Sequence, residues 1–310
     1  MSDPQGARTP NASHEFEAHR AYLTRLAYRM LGSIAEAEDA VQDGYLRWHR
    51  QDTARVDNPR AFLNQVVTRL CLDRIKQTRN QREHYVGVWL PEPLVEDWSA
   101  AEHAASPVDQ DVTVALMLAL ERLSPLERAA FILHDIFDMA FDDVATALGR
   151  TEAACRQLAS RARRRVISAK PRFKIDPNEG ARLADAFFTA ARSGDATSLQ
   201  QLLTKTATFH SDGGGRKPAA LRTISGADKI GRMYAGLARK RAFAMPLWTR
   251  NVRIDGLPGH LSVEHDGTLQ TTALQFEAGR IQAIFVVRNP DKLRHLAALL
   301  PADAAQLITH

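Results

Sequence analysis

Two cysteines, Cys71 and Cys155, in 310 residues are too few for a disulfide framework. That excludes a small disulfide-stapled secreted class and points to a reducing compartment, so a cytoplasmic location is expected. No Cys/His cluster has zinc-site spacing, and no metal or other cofactor is expected. The longest apolar runs, such as 115–120, fall far short of the roughly 20 residues that cross a bilayer. Residues 1–14 lack the apolar core of a secretory signal, so no membrane partner is expected. With 45% hydrophobic and 25% charged residues, a wholly disordered or fibrous chain is excluded. The length suits more than one domain.

The formal net charge is +5, but its distribution says more. Residues 58–82 hold six basic residues and one acidic, residues 92–143 two and twelve, and residues 150–174 nine and one. Two basic blocks flanking an acidic one suggest two contacts with a polyanion, joined by a segment that avoids it or meets a basic partner. A solvated face is the plain alternative for each block taken singly.

Residues 1–13 read as a disordered tail. From 14 to 82 the apolar spacing is helical, with Gly32 ending one helix and Ser33/Glu36 opening the next as a capping box. Asn58-Pro59 then caps a helix over 60–79. Residues 83–110 form a linker whose run Tyr85–Leu94 contains two prolines and cannot be an internal helix segment. It is too hydrophobic to be idle, and docking into a groove is expected. Helices resume over 111–170. Ser124-Pro125-Leu126-Glu127 is a second capping box, and a turn at Gly149-Arg150 joins two helices in a helix-turn-helix pattern. After a basic connector, 171–177, residues 178–295 change character. Two helices precede short alternating strands near 207–211, 221–224, 248–254, 260–265, 269–276 and 281–287, with a helix over 227–240. This predicts an α+β domain with a curved antiparallel sheet, then a tail over 296–310.

A recognition helix reads base edges with its N-terminal residues and holds phosphates with flanking cations. Here Ala153, Arg156 and Gln157 fall at base-reading positions, and Arg150, Ser160, Arg161 and Arg164 at phosphate positions. The helix over 60–79 carries Arg60, Asn64 and Arg74 on its polar face, suited to phosphates or single-stranded bases.

These stretches resemble a family. Residues 16–82, with Ala37-Glu38-Asp39-Ala40-Val41-Gln42-Asp43-Gly44-Tyr45-Leu46-Arg47-Trp48 and Asn58-Pro59-Arg60-Ala61-Phe62-Leu63, are similar to region 2 of a bacterial extracytoplasmic-function (ECF) sigma factor. Residues 120–166, with Leu123-Ser124-Pro125-Leu126-Glu127-Arg128 and Leu158-Ala159-Ser160-Arg161-Ala162-Arg163, are similar to region 4. Asp43 stands where Glu is common. Tyr85–Pro93, Asp212-Gly213-Gly214-Gly215-Arg216 and Asn289-Pro290-Asp291-Lys292-Leu293 resemble the signatures of the group with a SnoaL-like, NTF2-fold C-terminal extension, although Val88 and Arg216 replace a frequent Pro and Lys.

The resemblance implies two all-α sigma domains plus an α+β cone. It implies core RNA polymerase as partner, through the β′ clamp helices and β flap, and promoter DNA. Asp39, Gln42 and Asp43 would face polymerase. Asn58, Arg60, Asn64 and Arg74 would lie near the −10 element, and the recognition helix would read the −35 element. Residues 92–111 would thread a basic polymerase channel. No separate anti-sigma factor is evident, because the C-terminal domain would regulate in cis.

Three glycines at 213–215 suit a turn that another segment approaches closely. The expected contact places Asp212–Gly215 and the charged tip Arg216 against Tyr85, Trp89 and Pro91 or against region 2, completed by Asn289, Pro290 and Asp291. An alternative is an enzyme of the polyketide-cyclase or isomerase type fused to a DNA-binding module, with His210, Asp212 and His265 as acid/base candidates. No nucleophile–base–orienter set supports it, and no catalytic residue is assigned. An unknown small ligand in the C-terminal pocket is a further expected partner.

Overall fold

In a computed structural model of the chain, residues 9–52, 56–97, 113–166, 176–239 and 245–309 are described. Most of the acidic stretch 92–111, part of the loop 52–57 and the connector 171–177 up to residue 175 lie outside them. Two compact units emerge. One comprises residues 1–81 and 119–168, the other residues 82–118 and 169–310.

The first unit is helical. Helix α1 (Thr9–Leu31) begins inside the segment expected as a tail. Ser33 caps α2 (Ile34–Arg50), its side chain accepting from the Glu36 amide at 3.3 Å. Helix α3 (Pro59–Glu83) is longer than its periodicity suggested. Phe16, Leu23, Leu26, Trp48, Leu63 and Val67 form the buried seam of these three helices. Helix α4 (Val114–Glu121) precedes α5 (Pro125–Phe131), which opens on the full Ser124/Glu127 capping box and runs into a π turn over Ile132–Ile136. Helices α6 (Phe141–Leu148) and α7 (Glu152–Val166) form the helix-turn-helix. Gly149 ends α6 at φ 61°, a left-handed conformation that glycine adopts without Cβ strain. Arg128, 3% exposed, binds the unit together: its guanidinium donates to the Leu120 and Met30 carbonyls and pairs with Glu121 at 2.7 Å.

The second unit is built on a seven-stranded sheet of order β1-β4-β5-β6-β7-β2-β3. The strands are β1 (Val95–Asp97), β2 (Leu203–Asp212), β3 (Ile224–Ser225), β4 (Trp248–Ile254), β5 (Leu257–Val263), β6 (Leu269–Glu277) and β7 (Arg280–Val287). The expected antiparallel sheet needs correction: β2 pairs parallel with β7, because β3, one helix and the strands β4 to β6 intervene before the chain returns alongside β2. The linker also supplies an edge strand, β1, antiparallel to β4.

Alternation along the strands splits their apolar residues between two layers. Leu274, Ile284 and Phe209 face one layer with Phe187, Leu199 and Tyr234, contributed by α8 (Pro177–Ser193), α9 (Ala196–Leu202) and α10 (Ala227–Arg239). Leu261, Ala273 and Phe285 face the other layer with Leu90 of the linker, Val114 of α4, and Leu293, Leu296, Leu300 and Ala304. That second layer corrects two boundaries. Residues 296–309 are not a tail: they carry short 3-10 turns and α11 (Ala302–Ala305), and the Thr309 amide donates to Gly267. The linker and the start of α4 belong with the C-terminal domain, because their apolar side chains fill its core.

Candidate functional site

The recognition helix α7 buries Cys155, Ala159, Ala162 and Val166 and exposes the opposite face. Exposed on it or in the preceding turn are Arg150, Ala153, Arg156, Gln157, Ser160, Arg161 and Arg164. Arg156 is held by Glu152 at 2.8 Å and lies over the Phe141 ring at 4.7 Å, which fixes its direction. Not every arginine of the basic block is available for phosphates. Arg163 pairs with Asp135 at 2.5 Å and Arg165 with Glu127 at 2.8 Å, so both anchor the helix to its neighbours. Cys155 is buried with its thiol pKa raised by desolvation, as suits a packing residue rather than a redox switch.

On α2, Asp39 and Gln42 are exposed and Asp43 is half-buried. Arg74 of α3 reaches them, 2.7 Å from Asp43 and 3.7 Å from Asp39, and donates to the Glu36 carbonyl. The sequence placed Arg74 with the −10 residues; the structure puts it on the acidic face instead, since α3 packs beside α2 there. Asn58 is exposed, with its carboxamide oxygen capping α3 at the Ala61 amide, 3.0 Å. Arg60 is exposed over the Tyr22 ring. Asn64 departs from expectation. It is 2% exposed, its amide donating to the Tyr22 hydroxyl at 3.3 Å and to Met139 Sδ at 3.6 Å. The loop after α5 covers it, so in this arrangement it faces protein rather than solvent.

In the second unit Asp212, at the end of β2, is 1% exposed and its carboxylate is saturated. Oδ1 accepts from the Tyr85 hydroxyl at 2.5 Å and the Gly214 amide at 3.0 Å; Oδ2 accepts from the Leu90 amide at 2.9 Å and Lys292 Nζ at 2.8 Å. A buried carboxylate is tolerable only with such a donor set. Lys292 also donates to the Leu90 carbonyl and lies 4.1 Å from the Trp89 ring centroid and 4.8 Å from that of Tyr85. Asn289 donates to the Tyr85 hydroxyl at 2.8 Å and caps the short turn opened by Pro290. Burial, then the hydrogen bond to the Asp212 carboxylate, raises the Tyr85 pKa.

The glycines fit this closeness. A Cβ on Gly213 would overlap the Lys217 carbonyl, and one on Gly214, at φ 61°, the Asn289 carboxamide. Gly215 lies against Val86. Pro91 and Pro93 are buried, and Pro93 O is bonded to the His295 ring. The structure thus brings Tyr85, Trp89, Asp212, Gly213, Gly214, Gly215, Asn289 and Pro290 to one place. Arg216 differs from expectation: it pairs with Asp291 at 3.2 Å, both exposed, rather than with the linker. The three acid/base candidates do not form one site. Asp212 is saturated by the linker, His210 is bonded to Thr208 and Thr223, and His265 lies in the exposed turn after β5.

Two family models match. Sigma-70 region 2 matches residues 16–81, and Sigma-70, region 4 matches residues 113–166. The ECF RNA polymerase sigma factor SigJ of Mycobacterium tuberculosis is 38% identical over 288 residues, covering 90% of this chain and 92% of SigJ. The chain is an ECF RNA polymerase sigma factor. A probable ECF RNA polymerase sigma factor of the same organism, SigI, is 33% identical over 93% of this chain and 97% of its own. The crystal structure of SigJ matches this ECF sigma factor with a TM-score of 0.73 at 35% identity, covering 91% of this chain and 98% of that one.

A sigma factor binds core RNA polymerase and directs it in transcription initiation, which gives the helix-turn-helix and the α2–α3 surface their setting. The C-terminal domain of this sigma factor is the α+β fold expected, with helices α8 to α10 on one face of its sheet. Sequence reasoning missed the part of Lys292, named only within its motif. A lysine between an Asp and a Leu carries no mark of burial until Asp212 and Leu90 are brought beside it.

Proposed function

We propose that this sigma factor reads −35 DNA through Ala153, Arg156 and Gln157, with Arg150, Ser160, Arg161 and Arg164 on phosphates, and approaches −10 DNA through Asn58 and Arg60. Asp39, Gln42 and Asp43 meet the polymerase clamp. The C-terminal domain sets activity in cis by gripping the linker that joins region 2 to region 4. One observation carries this reading: a buried Asp212–Lys292 pair closes on linker backbone and side chains at Leu90, Tyr85 and Trp89. A chain segment so held is withdrawn from any other path until the grip opens, and a partner that prefers the open form shifts the balance. No separate anti-sigma factor is then required, and the protein works in the cytoplasm beside core polymerase. Among the described residues, no helix is long and apolar enough to cross a membrane.

The C-terminal domain is read as regulatory rather than catalytic, because its acid/base candidates are scattered or consumed by the linker. Co-purification with core RNA polymerase and run-off transcription test the first part. A region 4 variant lacking Arg156 should keep polymerase binding and lose −35 selectivity. Transcription that proceeds with unaltered promoter choice would contradict the assignment.

A further inference from the structure

Between the sheet and helices α8 and α10 lies a cavity of about 380 Å³, within the size range of small-molecule sites. It lies on the sheet face opposite Leu90 and the docked linker. Phe187, Phe188, Phe209 and Tyr234 line one part. The His260 ring stacks on Phe188 at 3.5 Å and 12°. Burial lowers the His260 pKa to about 4, so this ring is neutral at physiological pH.

Another part of the lining is polar, and its donors and acceptors do not balance. Glu264, 6% exposed, is engaged by the Ser262 hydroxyl at 2.6 Å, and Gln270 by Thr272 at 3.1 Å. Two guanidinium donors remain: Arg192 Nη1 and Arg288 Nε are buried with no acceptor among the described residues. Among the described residues, Arg288 bonds elsewhere only through its Nη atoms, to the Pro218 carbonyl and to Asp266. Buried donors left unmet are costly, and proteins rarely keep them without use. Desolvation depresses the Arg192 pKa more than the nearby Glu264 charge raises it.

We propose that this cavity binds a small aromatic monoanion, its ring between Phe188 and Tyr234 and its acid group on Arg192 and Arg288. The inference is independent of the promoter and linker assignments. It concerns a ligand on the far face of the domain that carries the linker.

The probes are 1-naphthoate and its neutral counterpart 1-naphthalenemethanol, titrated calorimetrically into the full chain. Naphthoate is expected to bind at least tenfold more tightly than the alcohol. In Arg192→Gln that preference should collapse, and in Glu264→Gln, which removes the like charge, naphthoate should bind severalfold more tightly. Leu237→Trp, filling the cavity from α10, should abolish both; its fold is checked by circular dichroism, and the Arg192→Gln comparison stands without it. No binding of naphthoate at 1 mM overturns the proposal. So does equal binding of acid and alcohol, or a preference unchanged in Arg192→Gln.

Discussion

Lys292 Nζ stands 2.8 Å from Asp212 Oδ2, the aspartate 1% and the lysine 8% exposed, and the linker backbone at Leu90 closes on both. Removing one member of a buried pair strands the other charge and costs on the order of 3–5 kcal/mol. Asp212→Asn and Lys292→Met should each destabilise the full chain by about that much in urea unfolding. The double variant should cost clearly less than the two singly combined. Additive costs would mean that the pair does not act as a unit.

Gly214 offers a second handle on the same contact. Alanine there meets both a positive φ and the Asn289 carboxamide, whereas Gly279, at φ 72°, has open space around it. Gly279→Ala should cost about 1 kcal/mol of backbone strain, and Gly214→Ala distinctly more. Gly214→Ala should also expose the Tyr85–Pro93 segment to proteases. Equal costs and equal cleavage would remove the close approach as the reason for the glycine run.

On the recognition helix the roles separate by salt. Arg156→Ala should relax base preference at one −35 position by about 1–3 kcal/mol. Arg164→Ala should weaken binding evenly across sequences and reduce the slope of log K against log salt by about 1. Fluorescence anisotropy on matched and mismatched duplexes distinguishes them.

His260 links the cavity to pH. Its folded pKa, about 4, lies below the ordinary value of 6.5, because burial and Arg192 outweigh the attraction of Asp185 at 3.7 Å. The unfolded chain therefore takes up a proton first as pH falls. The stabilisation is complete above about 6.5 and is lost between there and about 4, amounting to roughly 3 kcal/mol at most. Urea midpoints measured at pH 7 and 4.5 should fall further for the wild type than for His260→Gln. Parallel falls would contradict the assignment.

Much of this was legible in the sequence because the signals were local. Ser33/Glu36 and Ser124/Glu127 announced their helices, Gly149 its turn, and the spacing of Cys155, Ala159 and Ala162 the buried side of α7. The signature segments at 85–93, 212–216 and 289–293 carried the C-terminal extension. Long-range geometry was not legible. The parallel β2–β7 pairing joins strands some 75 residues apart. Burial of Asn64 depends on Met139, and the diversion of Arg74 depends on Asp43. Arg216 drew attention as a charge at a turn, yet its exposed pair with Asp291 contributes little in water. The buried cation that holds the linker is Lys292.

If the grip on the linker sets transcriptional output without choosing the promoter, loosening it should change how much is transcribed and not where. Run-off transcription with core polymerase, comparing the wild type with Lys292→Met across one promoter library, tests it most directly. The same promoters in the same order are expected, with overall output changed severalfold. Output indistinguishable from wild type, with Lys292→Met still folded, would contradict it.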